Sequence, residues 1–313
     1  MATRKKHIVF IHGRHFKPDP EVLTRNWYAA LRHGLKRDGN TTALDKFNAV
    51  QKTMVYYGDI SNEFLVGKGL QFDKAEDTAD RKKTLRLLKQ HSPNHFSLPQ
   101  AKKIYNNLPG KTAMKEFLAD TIGEIAAGFR VGKRLISHVA PDMAHYWNTE
   151  TQYGSDVRWR LTQPLAAALR KDHDILLVSH SLGTMIAYDV LWKFSYYGEY
   201  QDIREKRISQ LITMGAPLAD ETIKRNLKGA HVKGTRRYPT NIERWDNFAA
   251  EDDFISHDQS VQDDFKEMVP ELCRKITDHS MHNFATRWGK SNPHHATGYL
   301  VHPKVIKSIA QWL

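Results

Sequence analysis

Residues 174–198 read DILLVSHSLGTMIAYDVLWKFSYYG and contain a strand pattern that passes directly into a helix pattern. The stretch opens with a short apolar run, the pattern of a parallel strand that is covered on both faces. A longer stretch of helical pattern follows. Ser181 stands where the two meet, and the residues two positions away on either side, Ser179 and Gly183, are both small. The stretch therefore predicts a buried strand, a tight turn that carries Ser181, and a helix.

Other apolar runs along the chain resemble the first half of this stretch, and helical patterns separate them. The runs are short and rich in β-branched or aromatic residues, although the last is more polar. Such alternation predicts an α/β fold with a doubly wound, mostly parallel sheet. Strands are predicted at 7–13, 52–59, 174–181, 208–216 and 243–250, and helices at 21–39, 183–198 and 303–313.

Residues 60–155 break the alternation of strands and helices. We interpret them as a helical, cap-like insertion between two segments of one core, 1–59 and 156–313. The insertion contains an amphipathic helical pattern, whose apolar stripe packs either into the core or as a roof over Ser181. The stripe comprises Met114, Phe117, Leu118, Ile122, Ile125 and Phe129, and the basic residues Arg130, Lys133 and Arg134 follow it.

The charge balance and the cysteine content bear on partners and location. Lys and Arg number 47 against 35 Asp and Glu, a net charge of +12. This excess either forms an ordinary solvated surface or favours acidic partners such as anionic membranes, nucleic acid or anionic substrates. Cys273 is the single cysteine, so no intrachain disulfide can form. With no signal-peptide pattern and no apolar stretch of about 20 residues, a cytoplasmic location is expected.

Ser181 admits two interpretations from its local sequence. It is either a helix N-cap or a nucleophile on a strained strand-to-helix turn, whose neighbours must be small because strand and helix approach closely. In the second case the backbone N–H of Leu182, at the start of the helix, would stabilise an oxyanion. Gly13, at the end of the first predicted strand, would supply a second backbone N–H beside it.

Four segments together resemble the α/β-hydrolase superfamily, on its lipase and esterase side. They are HIVFIHG (7–13), LLVSHSLGTMIAYDVL (176–191), ITMGAPL (212–218) and GYLVHPKVIKSIAQWL (298–313). The resemblance covers residues 1–59 and about 156–313, and it does not extend to the insertion. It implies the α/β-hydrolase fold and a catalytic triad in the chain order Ser, acid, His, so the acid and the base are expected downstream of Ser181.

The resemblance points to an acid and a base in two loops. In ERWDNFAAEDDFISHD (243–258), Asp253 matches the acid, with Asp252 one residue away and a surface acidic loop as the other interpretation. Before the C-terminal helix, His294 matches a histidine followed by small residues and Gly-Tyr-Leu, and His295 is the alternative. The other downstream histidines weighed for this role are His279, His282 and His302.

The expected function is a serine hydrolase that cleaves carboxylic esters through a Ser181–Asp253–His294 triad and an acyl-enzyme, without cofactor or metal. The expected substrate is an ester or lipid-like molecule, and the residues expected to bind it are His12, Arg14 and His180. The alternative is a catalytically inactive protein of the same fold that binds an anionic membrane or nucleic acid through its basic surface. Nucleic acid is disfavoured because no recognised nucleic-acid motif is present.

Overall fold

The computed structural model describes residues 4–110, 141–256 and 260–313. Its main feature is a sheet of six strands, all parallel, in the order β2-β1-β3-β4-β5-β6. A separate antiparallel pair of strands, β7 and β8, follows β6 in the chain. The strands are β1 (Lys6–Ile11), β2 (Gln51–Val55), β3 (Asp174–His180), β4 (Gln210–Met214), β5 (Arg244–Ala250), β6 (Lys275–Met281), β7 (Thr286–Arg287) and β8 (Lys290–Ser291).

Helices flank both faces of the sheet, and we number those of the described residues in chain order. They are α1 (Pro20–Arg37), α2 (Thr41–Ala49), α3 (Gly58–Gly67), α4 (Lys74–His91), α5 (Leu98–Asn106), α6 (Pro141–Tyr146), α7 (Tyr153–Arg170), α8 (Leu182–Tyr196), α9 (Glu221–Asn226), α10 (Val261–Asp264), α11 (Ala296–Val301) and α12 (Pro303–Trp312). The structure therefore confirms the predicted α/β class with a parallel sheet.

Two apolar clusters, one on each face of the sheet, explain why the strands lack two-fold alternation. In β3, Ile175 and Leu177 pack into the cluster that contains α7 and α8, whereas Leu176 and Val178 pack into the cluster that contains α1 and α12. All four side chains are fully buried. Since successive side chains of a strand point to opposite faces, a sheet covered on both sides requires continuous apolar strands.

All five predicted strands are present, with ends that differ by a few residues, but the sequence interpretation missed a sixth. β6 pairs only with β5, at the edge of the sheet. Few of its side chains are buried, Ile276 and Met281 among them. Asp278 in this strand accepts hydrogen bonds from the backbone of Val261 and Gln262, at the start of α10. An edge strand with polar contacts lacks the apolar run that marks a buried strand.

The described part of residues 60–155 is helical, in α3, α4, α5 and α6. Helix α4 packs against α1 and α11 of the flanking core segments. The predicted apolar stripe, Met114 to Phe129, and the three basic residues after it lie outside the described residues. Among the described helices, none combines the length and the apolar composition needed to cross a bilayer.

Candidate active site

The order of the first three strands defines where a crevice opens in the sheet. From β1 the chain moves outward to β2 and then returns to β3 on the other side of β1. Open parallel sheets bind ligands beyond the carboxyl ends of the strands at such a switch point. Gly13 follows β1 and Ser181 follows β3, so the two segments meet at this crevice.

The backbone at Ser181 is strained. Its φ of 54° and ψ of −127° are unusual for a residue with a side chain, and such conformations cost about 1–3 kcal/mol each. Flanking hydrogen bonds hold the turn: Ser181 N–H donates to Met214 O at 3.0 Å, and Thr184 N–H donates to Ser181 O at 2.8 Å. The Ser181 hydroxyl makes no capping bond to helix α8. The N-cap interpretation therefore does not account for the residue.

Close packing explains the small residues around this turn. A Cβ on Gly183 would lie 2.5 Å from His12 O, and one on Gly13 would lie 2.5 Å from Ser181 Cβ. Both distances are below van der Waals contact, so a side chain at either position would displace its neighbours. Ser179 is accommodated because its hydroxyl donates to Ile212 O at 3.0 Å. The N-terminus of α8 and the Gly13 backbone thus converge on Ser181.

His294 bridges Ser181 and Asp253. Its Nε2 lies 2.8 Å from Ser181 Oγ, and its Nδ1 lies 2.9 Å from each carboxylate oxygen of Asp253. A carboxylate can only accept, so Nδ1 carries the proton in the neutral ring. Nε2 is then the acceptor for the Ser181 hydroxyl. This is the arrangement in which an imidazole can remove the serine proton.

The Asp253 carboxylate is almost fully buried yet stays ionised at neutral pH. Burial alone would raise its pKa, but the charge of His294 and hydrogen bonds from His294 and Tyr299 outweigh burial, and the pKa is lowered. Tyr299 Oη donates to Oδ2 at 2.6 Å and Ile255 N–H donates to Oδ1 at 3.0 Å. A charged acceptor in this position fixes the orientation of the His294 ring.

The neighbouring residues that the sequence left as alternatives make other contacts. Asp252 has a φ of 59° and accepts a hydrogen bond from Tyr105 Oη at 2.7 Å. His295 has neither ring nitrogen hydrogen-bonded within the described part of the chain. Neither residue contacts Ser181 or its histidine partner through a described hydrogen bond. Of Asp252 and Asp253, and of His294 and His295, it is thus Asp253 and His294 that form the described hydrogen-bonded series with Ser181.

Three further residues position this site, and the sequence analysis assigned no role to any of them. Gly215 has a φ of 55°, and a Cβ there would lie 2.9 Å from Asp253 Oδ2 and 3.0 Å from His294 Nδ1. Asn283 is fully buried and donates to Pro293 O at 2.7 Å and to His295 O at 3.0 Å, which braces the loop around His294. The third residue is Tyr299. Gly215 and Tyr299 lie in the sequence motifs ITMGAPL and GYL, whereas no sequence motif pointed to Asn283.

His12 differs from the substrate-binding role expected of it. It is fully buried, its Nδ1–H donates to Gly13 O at 2.8 Å, and its Nε2 accepts from Tyr57 N–H at 3.1 Å. Burial, and next the charge of Lys17, lower its pKa well below the usual value, so the ring is neutral. Because both nitrogens are already bonded, His12 orients the Gly13 backbone and leaves no polar atom for a substrate.

The other two expected substrate contacts, His180 and Arg14, border the crevice. His180 Nε2–H donates to His294 O at 2.7 Å, so this ring also supports the backbone of the central histidine. Arg14 Nε donates to the buried Asp142 carboxylate at 3.0 Å. Both residues line the adjacent pocket, and both are held by polar partners within the fold.

A pocket of about 600 Å3 opens beside this site, bounded near the catalytic candidates by Gly13, His180, Asp253 and His294. Ser181 itself is fully buried, so a substrate can reach Oγ only when a group that covers it shifts. The apolar part of the pocket wall includes Phe16, Leu23, Trp27, Phe72, Ile255 and Trp288. Segment 71–81, which belongs to the predicted insertion, supplies part of the wall.

In the described segments, no group of three or more His, Cys, Asp or Glu side chains is placed so that it could hold a metal ion. His279 and His282, which have metal-like spacing in the sequence, contact aromatic rings instead. The His279 ring stacks on Phe248 with centroids 4.6 Å apart, and the His282 ring stacks on Tyr105 at 5.2 Å.

Comparisons of the chain with protein-family models, with curated proteins and with solved structures return no match.

Proposed function

We propose that this chain is a serine hydrolase of carboxylic esters, of the α/β-hydrolase fold, with Ser181 as nucleophile, His294 as general base and Asp253 as its charged partner. The observation that carries the proposal is the hydrogen-bonded series Ser181 Oγ, His294 Nε2 and Nδ1, and Asp253, with successive distances of 2.8 and 2.9 Å. It arises at a strained turn, and strain of this kind concentrates at functional sites.

The chemistry begins with transfer of the Ser181 hydroxyl proton to His294 Nε2 while Oγ attacks the ester carbonyl carbon. Negative charge develops on the carbonyl oxygen, beside the N–H of Leu182 and the Gly13 backbone. Leu182 is the first residue of α8, so its N–H has no partner within the helix, and the helix dipole favours a negative charge there.

The acyl-enzyme then forms and breaks through the same imidazole. His294 donates its new proton to the departing alkoxide. A water molecule then gives a proton to Nε2 and attacks the acyl carbon, and the bond to Ser181 Oγ breaks as the imidazolium returns that proton to Oγ and the acid is released. Ionised Asp253 stabilises the imidazolium at each stage, because its buried charge lies 2.9 Å from Nδ1. No step requires a group beyond these side chains, the backbone N–H groups and water.

The proposal predicts that Ser181→Ala removes ester hydrolysis. With 4-nitrophenyl butyrate as substrate, kcat should fall by about three orders of magnitude or more, because the covalent route is lost. Ser179→Ala is the matched control, since it removes a buried hydroxyl two residues earlier, on β3. Circular dichroism checks that both variants are folded. Turnover by Ser181→Ala within about tenfold of the unmodified chain would contradict the proposal.

A further inference from the structure

The pocket beside Ser181 contains a buried ammonium group without an ionic partner. Lys17 is 7 % exposed and lines the pocket. Its Nζ donates only to backbone carbonyls of its own loop, those of Arg14, His15 and Phe16. Among the described residues no carboxylate lies within ion-pair distance of it. Three carbonyl oxygens use its hydrogens but leave its charge uncompensated, which is costly in a buried position.

The charged groups that act most strongly on Lys17 form two ion pairs with one another. Arg14 pairs with Asp142 at 3.0 Å, and Arg81 pairs with Asp77 at 2.6 Å. Burial is the largest influence on Lys17 and lowers the pKa of its ammonium group well below the usual value, and these four groups, two cations and two anions, come next. Because Asp142 and Asp77 are each already bound to an arginine, neither is left to pair with Lys17.

Arg287 extends this network without changing the balance. It donates to Asp77 at 2.6 Å and forms a second ion pair with Asp80, whose other oxygen accepts from Trp288 N–H at 3.0 Å. Two arginines, Arg81 and Arg287, therefore face two aspartates. Neither aspartate is therefore available to Lys17.

His295 adds an unused hydrogen-bonding group to the same pocket. Both ring nitrogens are inaccessible to solvent and have no hydrogen-bond partner in the described segments. Burial, and then the positive charges of Arg287 and Arg81, lower its pKa well below the usual value. The ring is therefore a neutral imidazole with one N–H to donate, in a positive environment. A buried polar group without a partner is unfavourable, and a ligand that accepted from it would offset that cost.

The carboxylates that border the pocket do not neutralise Lys17. Asp253 is bound to His294, and Asp252 accepts from Tyr105. Asp77 is bound to Arg81 and Arg287, and the remaining two, Asp73 and Glu76, are exposed at the start of α4. The buried and half-buried carboxylates of the pocket thus already have partners, and the other two are exposed to solvent.

We propose that the pocket binds ester substrates that carry a monoanionic group, such as a carboxylate, which ion-pairs with Lys17 and accepts a hydrogen bond from His295. This proposal rests on the proposed esterase function and names the substrate class of the same site. A single anionic group is favoured because, among the described residues that line the pocket, Lys17 is a buried basic group with no carboxylate within ion-pair distance. The apolar wall, which includes the stacked rings of Phe16 and Phe72, suits an aliphatic chain between the two ends.

The first test compares two chromogenic esters of equal chain length, mono-4-nitrophenyl suberate and 4-nitrophenyl octanoate. The unmodified chain should hydrolyse the carboxylate ester with a kcat/KM at least about tenfold higher. Lys17→Met and His295→Phe should each reduce that ratio by about tenfold, through KM. Lys83→Met, which removes an exposed cation from the same helix as Arg81, should leave the ratio unchanged. A preference of the unmodified chain for the octanoate ester would overturn the proposal.

The second test measures binding alone, so that failure of the substrate class and failure of the esterase function can be told apart. Calorimetry with Ser181→Ala should show monomethyl suberate binding at least about tenfold more tightly than neutral dimethyl suberate. Adding His295→Phe should abolish the difference. Equal affinities for the two esters would overturn the anionic subsite even if esterase activity were present. Tighter binding of the monoanion without any turnover would retain the subsite and refute the esterase.

Discussion

At the scale of single residues, Asp253 and Asp252 show how one position along the chain separates two environments. Asp253 is buried and accepts hydrogen bonds from His294, Tyr299 and the backbone. Asp252 adopts a positive φ and turns its carboxylate toward Tyr105. Both residues are aspartates, but they have different hydrogen-bond partners. Substitutions at the two sites should therefore differ sharply in their effect on activity.

Asp253→Asn should lower kcat for ester hydrolysis by about 10³–10⁴-fold, because an amide neither stabilises the imidazolium nor selects the required tautomer. Asp252→Asn keeps an oxygen acceptor for the Tyr105 hydroxyl and should cost about threefold or less. Steady-state kinetics at neutral pH measure both. If Asp252→Asn were the more damaging substitution, the assignment of the acid would be wrong.

The position of Ser181 on a tight turn could be predicted from the sequence, because the strand, the turn and the helix are contiguous there and the neighbouring residues are small. Asp253 and His294 lie far apart in the chain and emerged only from a resemblance to known hydrolases. Asn283 and the partnerless state of His295 within the described segments could not be predicted, since each depends on loops that meet only in the folded chain. A local turn can be predicted from adjacent residues, whereas contacts between loops that are distant in the chain cannot.

At the scale of elements, helix α8 and strand β1 approach so closely that the site depends on their separation. A Cβ on Gly183 would meet two backbone oxygens, His12 O at 2.5 Å and Ile11 O at 2.9 Å. Backbone cannot yield as a flexible side chain can, so the helix would have to move away from the strand. Such a movement would carry the Leu182 N–H away from the oxyanion position.

Gly183→Ala should therefore lower both the melting temperature and kcat, with a loss in kcat of about tenfold or more. Gly67→Ala is the matched control, because Gly67 lies at the end of α3 and a Cβ added to it would have no atom within 4 Å. Alanine is the better helix former, so this control should be neutral or slightly stabilising. Thermal melts and ester kinetics on both variants provide the measurement, and equal behaviour of the two would contradict the packing argument.

The edge strand β6 shows where sequence patterns fail at this scale. Its residues KITDHSM include polar side chains that serve neighbours: Asp278 accepts from Asn247 at 2.9 Å, and His279 stacks on Phe248. A strand with one neighbour and such contacts has no continuous apolar run. The other five strands of the sheet were predictable because burial on both faces demands apolar residues.

At the scale of the whole molecule, the fold buries several histidines in the neutral form. Burial lowers the pKa of His12, His180 and His295 well below the usual value of 6.5 and that of His302 to about 3. In the unfolded chain these rings take up protons below about pH 6.5. The folded chain does not take them up until the pH is far lower.

The free energy of unfolding should consequently fall as the pH drops from about 7.5 to about 5, by up to about 1.4 kcal/mol per pH unit for each such histidine. The sign follows because the unfolded state binds more protons in this range. Buried carboxylates with lowered pKa, such as Asp253, add to the loss only below about pH 4. Urea titrations across the range measure the slope, and His231→Gln, at an exposed position, should leave it unchanged. A stability that is flat between these pH values would contradict the burial of neutral histidines.

The proposed mechanism requires Ser181 to be an activated nucleophile, and covalent labelling with a fluorophosphonate detects such a residue. The reagent forms a stable adduct with a serine whose proton a neighbouring base removes, so it reports on the Ser181–His294 pair without any assumption about the substrate. Peptide mass spectrometry should find one adduct per chain, on Ser181, and none after His294→Ala. An unlabelled chain, or an adduct on another residue with Ser181 unmodified, would contradict the account.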